Sequence, residues 1–171
     1  MAQLKGLVDS GWEVQPIMSD RVYETDTRFG KAEMWQERIR EICGRDIIHT
    51  IPQAEPLGPQ KPLDMLIICP CTGNTLAKLA CGITDSPVCM AAKAHLRTDR
   101  PLILALASND AMSANLKNIG ALLMRKSVFF VPMHQDDPIR KPHSLVADFS
   151  KLRETVQCAQ SGVQLRPLFW N

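Results

Sequence analysis

The sequence predicts a three-layer α/β sandwich around a parallel sheet. Three observations carry that expectation. Short apolar runs at Leu66–Ile68, Leu102–Ala107 and Val128–Val131 have the unbroken character of strands covered on both faces. Between and after them lie stretches with apolar residues at helical spacing. Strands that alternate with helices in this way form parallel strand–helix–strand units with helices on both faces of the sheet.

Taken in order, Gln3–Asp9 reads as the tail of a helix stopped at Ser10-Gly11. Trp12–Met18 alternates as a strand does, and Ser19–Gly30 is a polar loop. Lys31–Cys43 is an amphipathic helix with Trp35, Ile39 and Ile42 on one face and Gly44 as its stop. Ile47-Ile48 is a short strand, and Ile51–Pro62, with four prolines, is an ordered linker loop. The strand at Leu66–Ile68 breaks at Pro70–Asn74, and Leu76, Leu79, Ala80 and Ile83 then repeat as a helix. Pro87 opens a helix that runs to Leu96. After the strand Leu102–Ala107, Met112, Leu116, Ile119 and Leu123 mark another helix. Pro132–His143 is a long charged loop; Leu145, Phe149, Leu152 and Val156 mark the last helix, stopped near Gly162, and 163–171 is a tail. One domain, 1–171, is expected. The chain opens inside a helix where such folds open on a strand, so a first strand is expected to be missing and a central sheet position empty, with open backbone groups beside it.

Composition narrows the function. A net charge of +2, scattered Lys and Arg, five Phe and one Tyr give no footprint for nucleic acid. No apolar run approaches the roughly 20 residues of a membrane span, and no signal-peptide pattern opens the chain, so a cytoplasmic protein is expected. Cys69, Cys71, Cys81 and Cys89 lack the paired spacing of zinc knuckles, so they are read as packed thiols and no metal site is expected. Phosphate-loop, dinucleotide, zinc-protease and hydrolase-elbow motifs are absent. No histidine is spaced to pair with a nucleophile, and no catalytic residue is assigned; His95, near a helix end, is read as tolerating positive charge there.

What remains is a set of turns at strand ends, where ligands bind in parallel sheets. Thr72, Gly73, Asn74 and Thr75 sit where a strand feeds a helix N-terminus, a place that offers free N–H groups to phosphate or carboxylate. The same residues also suit a plain helix cap. Ser108-Asn109-Asp110 follows the next strand with the same two readings, and Ser19-Asp20 lies in a third such turn. In the loop after Val131, Arg140 or Lys141 can grip a carboxylate; the other reading is a solvated loop.

Pro70-Cys71-Thr72-Gly73-Asn74-Thr75, followed by Ala77-Lys78-Leu79-Ala80 and Gly82-Ile83-Thr84-Asp85, resembles the P-A-S-A-N-T…A…G-x-x-D block of the flavoprotein superfamily, which holds flavin-dependent cysteine decarboxylases and prenyl-flavin synthases. Asn109 and Met112 match the N-x-x-M of the decarboxylases. Within that superfamily, 25–31 (TDTRFGK), 54–59 (AEPLGP), 84–88 (TDSPV), 90–94 (MAAKA) and 135–138 (QDDP) with Lys141-Pro142 resemble the family of dipicolinate synthase B subunits. The resemblance implies a flavodoxin-like, Rossmann-like fold and a cytoplasmic role, in the mother cell of a spore former, in oxidising a dihydrodipicolinate-type precursor to dipicolinate. It implies FMN as a cofactor, with Ser19, Thr72, Gly73, Asn74, Thr75, Asp85, Ser108 and Asn109 as the residues around it and Arg140 and Lys141 on a dicarboxylate substrate. The implied partner is the A subunit of dipicolinate synthase, which carries NADP, and the implied assembly is a homo-oligomer. Against the family pattern, the first strand and its Gly/Ser/Thr loop have no counterpart, His49 lies past the position of the decarboxylases' histidine, and Met90 replaces the prenyl-flavin synthases' arginine. These departures keep two alternatives open: an FMN-dependent decarboxylase-like protein, and a non-catalytic binding or scaffold subunit.

Overall fold

The structure, a computed structural model, describes residues 1–170. Its centre is β2 (Leu102–Ser108), whose first five residues are buried. Alternation along this strand sends Leu102, Leu104 and Leu106 into one apolar cluster and Ile103 and Ala105 into another on the opposite face. β1 (Leu66–Cys71) and β3 (Val128–Phe130) pair with β2 in parallel, as the apolar runs predict. The first cluster takes in Leu76 and Leu79 of α5 (Gly73–Cys81), Ala91 and Ala92 of α6 (Pro87–Leu96), and Ile119 and Leu122 of α7 (Leu116–Leu123). The second is covered by Leu7 of α1 (Ala2–Asp9) and by Leu152, Val156 and Ala159 of α8 (Leu152–Gln160). Two helical layers on one sheet make the expected sandwich. Among the described residues no helix is long and apolar enough to cross a membrane.

Several elements depart from expectation, each for an identifiable reason. The parallel core carries an antiparallel extension: β5 (Leu145–Ala147) pairs with the end of β2, and β4 (Met133–His134) pairs with β5. Leu145 and Phe149 therefore do not open the last helix; they lie on a strand and a 3-10 turn, and only pairing with a distant strand reveals this. Met133 and His134, after Pro132 in the loop 132–143, are accordingly strand residues. The tail is docked: Met133 N–H donates to the Leu168 carbonyl, and Phe169 forms a bridge with Met133. The polar loop 19–30 contains α2 (Asp20–Glu24), and the proline-rich linker contains α4 (Ile51–Ala54), started by a reciprocal cap between Thr50 and Gln53 and continued by a 3-10 turn at Glu55–Leu57. α3 (Ala32–Cys43) stops at Gly44, which is left-handed at φ 62° as a helix stop requires. Met112 lies outside α7 and is exposed, because Asp110 folds 110–115 into turns: its carbonyl accepts from the Ser113 and Asn115 N–H groups. His95 is fully buried and its Nε2 lies 2.9 Å from the Pro101 carbonyl; burial pushes its pKa down, so it is a neutral core histidine and not a cation at a helix end.

The predicted strand Trp12–Met18 is reduced to one bridge, between Ile17 and Ile48. Pro16 carbonyl and Met18 N–H bond to Ile48, so the Ile17 backbone turns away from it. On β1, Leu66 N–H donates to the Pro101 carbonyl, which turns Leu66 and Ile68 toward β2 and Ile67 and Cys69 to the other side. Among the described residues no strand pairs with that other side. Among the described residues, β1 and the Ile17 segment each leave one backbone edge without a strand partner.

The linker packs by direct backbone approach. A Cβ added at Gly58 would meet the Ala94 carbonyl of α6, with the carbonyl carbon at 2.7 Å. Backbone cannot swing aside as a long side chain can. Gly58→Ala is expected to lower stability by about 1–3 kcal/mol, the usual range for overpacking, as read from a urea midpoint shift at unchanged slope.

Candidate functional site

The carboxyl ends of β1 and β2 lie side by side because the strands are parallel neighbours. β1 runs into α5 through Thr72, whose hydroxyl accepts from Thr75 N–H at 3.3 Å. The two hydroxyls lie 3.2 Å apart. The helix-cap reading of this turn is therefore realised. It leaves the N–H groups of Gly73 and Asn74 without intrahelical partners, at the positive end of the helix dipole.

β2 ends in a second turn packed against the first. Asp110 accepts from the Ser108 hydroxyl and, at 2.9 Å, from Asn115 Nδ2; Asn118 Nδ2 then donates to Asn115 Oδ1 at 2.8 Å. The hydrogen bond from Ser108, with that from Asn115, holds the Asp110 carboxyl below its ordinary pKa, so the cluster keeps a fixed negative charge at neutral pH. Gly73 is pressed into this cluster. A Cβ there would meet the Ser108 hydroxyl, Asp110 Oδ1 at 2.7 Å and Asn115 Nδ2 at 2.8 Å. Only glycine lets the N-terminus of α5 sit this close to the β2 turn.

Of the residues singled out in the sequence, Thr72, Gly73, Asn74, Thr75 and Ser108 are thus brought together, with Asn109 exposed on the same turn as Ser108. Asp85 serves one step away. It accepts from Lys78 of α5 at 2.8 Å, and that hydrogen bond raises the Lys78 pKa. Asp20 contributes to the same rise, so the Ser19-Asp20 turn lies within electrostatic reach of α5. Ser19 precedes α2 without a side-chain cap bond.

Arg140 and Lys141 stand differently. Lys141 Nζ donates to Asp136 at 2.6 Å, so its charge is already committed inside its own loop. Gln135 Nε2 donates to the Pro142 carbonyl and Arg140 N–H to Asp137 Oδ1, which closes the loop on itself. The loop is tied to the β2 turn by Met112 N–H donating to the His143 carbonyl at 2.9 Å. The Arg140 side chain makes no hydrogen bond or ion pair among the described residues.

Sequence reasoning missed Asn115, Asn118 and Lys78. Two asparagines three residues apart before an apolar helical run were a usable signal for a buried polar face. Also missed was a cleft of about 470 Å³ lined by Met112, Leu116, His134, Pro138, Phe169 and Trp170, built when the tail returns to β4 and the Trp170 ring packs tilted against His134 with ring centroids 4.9 Å apart. All six cysteines are free; Cys71 and Cys89 are buried, whereas Cys69 and Cys81 are exposed as residues. Among the described residues no cluster of His, Cys, Asp and Glu is arranged to hold a metal.

A helix N-terminus and a polar turn meeting at the carboxyl edge of a parallel sheet define a Rossmann-like α/β protein. The chain belongs to the flavoprotein family, whose model matches residues 2–161. It is 45% identical over 166 residues, 97% of this chain and 83% of the relative, to the B subunit of dipicolinate synthase from Bacillus subtilis (strain 168). Its structure is similar to the crystal structure of the B subunit of dipicolinate synthase from Bacillus halodurans C, with a TM-score of 0.92 at 40% identity over 99% of this chain and 87% of that one. It is also similar to a dodecameric FMN-dependent Ubix-like decarboxylase from Escherichia coli O157:H7, with a TM-score of 0.61 at 25% identity over 77% of this chain and 70% of that one.

Lys141 holds the Asp136 carboxyl down, to a pKa of about 2 against an ordinary 3.8; the Ser144 hydroxyl adds to this from nearby without making a hydrogen bond of standard geometry. A depressed carboxylate contributes its stability above the unfolded value and loses it as pH falls through the folded one. The loop closure is therefore expected to persist at pH 4 and to open between about pH 4 and pH 2, followed by the carboxyl carbon-13 shift of Asp136. Lys141→Ala is expected to return that titration toward 3.8.

Proposed function

We propose that the chain works as the B subunit of a dipicolinate synthase. With a nucleotide-binding A subunit it converts a dihydrodipicolinate-type precursor to dipicolinate. In that reaction the precursor loses a hydride, taken by NADP on the A subunit, and a proton to solvent, and the ring becomes aromatic. The observation that carries the reading is the 45% identity to a protein of that name across 97% of this chain.

Geometry supports a binding role for this chain. The free N–H groups of Gly73 and Asn74, with the Thr72 and Thr75 hydroxyls beside them, are donors suited to a carboxylate of the substrate or to the phosphate of FMN. The exposed Asn109 amide can both donate to and accept from a ring edge. Asp110 and Asn115 act through position, by holding Ser108 and the β2 turn against α5. FMN, were it held by these donors, would supply a two-electron acceptor in place of NADP as the taker of the hydride. Arg140 stands free to meet a second carboxylate, while Lys141 must first leave Asp136. A homo-oligomer is part of the proposal, in line with the dodecameric relative.

The alternative of a binding component without a reacting group of its own is favoured by one observation: the donors found at the crevice are backbone amides, hydroxyls and amide side chains, which bind and orient without exchanging protons near neutral pH. One assay bears on both readings. The purified chain is mixed with the precursor and the A subunit, and dipicolinate is followed by its ultraviolet absorbance. Formation is expected to need both proteins and to fall at least tenfold with Thr75→Val or Asn109→Ala while the two proteins still associate. Equal output when this chain is left out would contradict the role proposed for it.

A further inference from the structure

The reaction proposed above sets a requirement on what covers the crevice. A hydride leaves a ring carbon of the precursor for the oxidised nicotinamide of NADP, and a proton goes to solvent. Direct transfer needs the two carbons about 3–3.5 Å apart. The nicotinamide is carried by the A subunit, so that subunit must reach the mouth of the crevice and cover part of its rim.

The rim is not uniform. Toward α2 it is polar, with Asp20 and Arg21 exposed, and at α5 Thr72 and Asn74 are exposed. Beyond the β2 turn it is apolar. Met112, Leu116, Phe169 and Trp170 are all exposed, and all line the cleft of about 470 Å³. Ile139, 91% exposed, follows Pro138, which lines the same cleft. Exposed apolar side chains gathered in one place mark a contact surface, whereas scattered ones do not. The cleft backs onto the crevice. Leu145 in its wall pairs with Ser108. Met112 and Leu116 bracket the turn that carries Asn115, whose Nδ2 lies 2.8 Å from where a Cβ on residue 73 would stand.

The cleft also has the make-up of an interface core. Among the described residues its lining holds no Asp, Glu, Lys or Arg, and it combines Trp, Phe and Met. Its aromatic wall is held in place: Trp170 N–H donates to the Met133 carbonyl at 3.3 Å, and the Trp170 ring packs against His134. A tryptophan fixed before binding is a strong anchor, because little freedom is lost when a partner covers it. A second copy of this chain fits less well. A two-fold contact through this face would set cleft against cleft and turn both crevice mouths inward, out of reach of a nicotinamide.

We propose that this cleft is the docking surface for the A subunit, which places an apolar side chain between Met112, Leu116 and Trp170 and packs against Ile139. The inference rests on the reading of the chain as a B subunit. Docking there sets the partner beside Asn109, three residues before Met112, at the mouth of the crevice.

Calorimetric titration of the A subunit, with oxidised NADP present, into the chain and its variants tests this. Ile139→Asn changes a side chain that stands almost wholly in solvent, and it is expected to weaken binding about tenfold or more. Leu116→Asn added to it is expected to bring the loss to about 100-fold. Met124→Asn, at a residue 85% exposed outside this cleft, is expected to leave binding unchanged. In the unaltered chain the methyl signals of Met112, Leu116 and Ile139 are expected to shift on adding the A subunit, and that of Met124 to stay. Unmoved signals in the cleft, unchanged affinity in both cleft variants, or an equal loss with Met124→Asn overturns the docking surface and leaves the subunit reading standing. No association with the A subunit in any arm overturns both. Cleft variants that bind the A subunit normally but lose self-association assign the face to a second copy and overturn the proposal.

Discussion

The close approach of Gly73 to the Ser108–Asp110–Asn115 cluster is the contact on which the crevice depends. It joins two elements the chain would otherwise leave independent, the N-terminus of α5 and the turn after β2. Parallel pairing of β1 and β2 brings their carboxyl ends to one edge, but pairing alone does not set how the helix and the turn face each other. A missing side chain at residue 73 and a fixed carboxylate at 110 do. The arrangement is electrostatically coherent: the positive end of the helix dipole faces a negative turn on one side and is left with free N–H groups on the other.

The rest of the fold positions this contact and keeps it dry from behind. β2 is buried on both faces, and its alternation divides the apolar residues between two helical layers. The antiparallel β4–β5 extension and the docked tail hold the long loop against the turn at Met112. Within that loop Asp136 and Lys141 satisfy each other, so the charges that look free in the sequence are partly spent on local order. An exposed pair of this kind contributes little to global stability. Its effect is on loop shape, and through shape on where Arg140 is presented.

The sequence disclosed those parts whose signals are local. α6 begins as predicted because Ser86 caps it and Pro87 suits its first turn, and α3 ends as predicted because Gly44 can turn left-handed. The turn Thr72–Thr75 was legible because small polar residues between a buried strand and an apolar helix have few other uses. Where tertiary pairing decides, local pattern misled. Leu145 and Phe149 fit a helix by spacing, yet β2 recruits 145–147 as a strand. Met112 fits the helix of Leu116 and Ile119, yet the Asp110 carbonyl draws the Ser113 and Asn115 amides into turns first. Trp12–Met18 has strand composition but a partner on one side only, and it forms a single bridge. The partners of Gly73 lie more than thirty residues away in sequence, so no local reading reveals why glycine is required there.

The central claim is that the turns after β1 and β2 form one anion-accepting crevice. Titrating the labelled protein with dipicolinate and reading backbone amide shifts tests it most directly. The account predicts that Gly73, Asn74, Ser108 and Asn109 move together with one saturation curve, and that Gly73→Ala, by forcing the two turns apart, weakens the response of all four. Shifts confined to the cleft beside Trp170, with the four crevice amides unmoved, would contradict it.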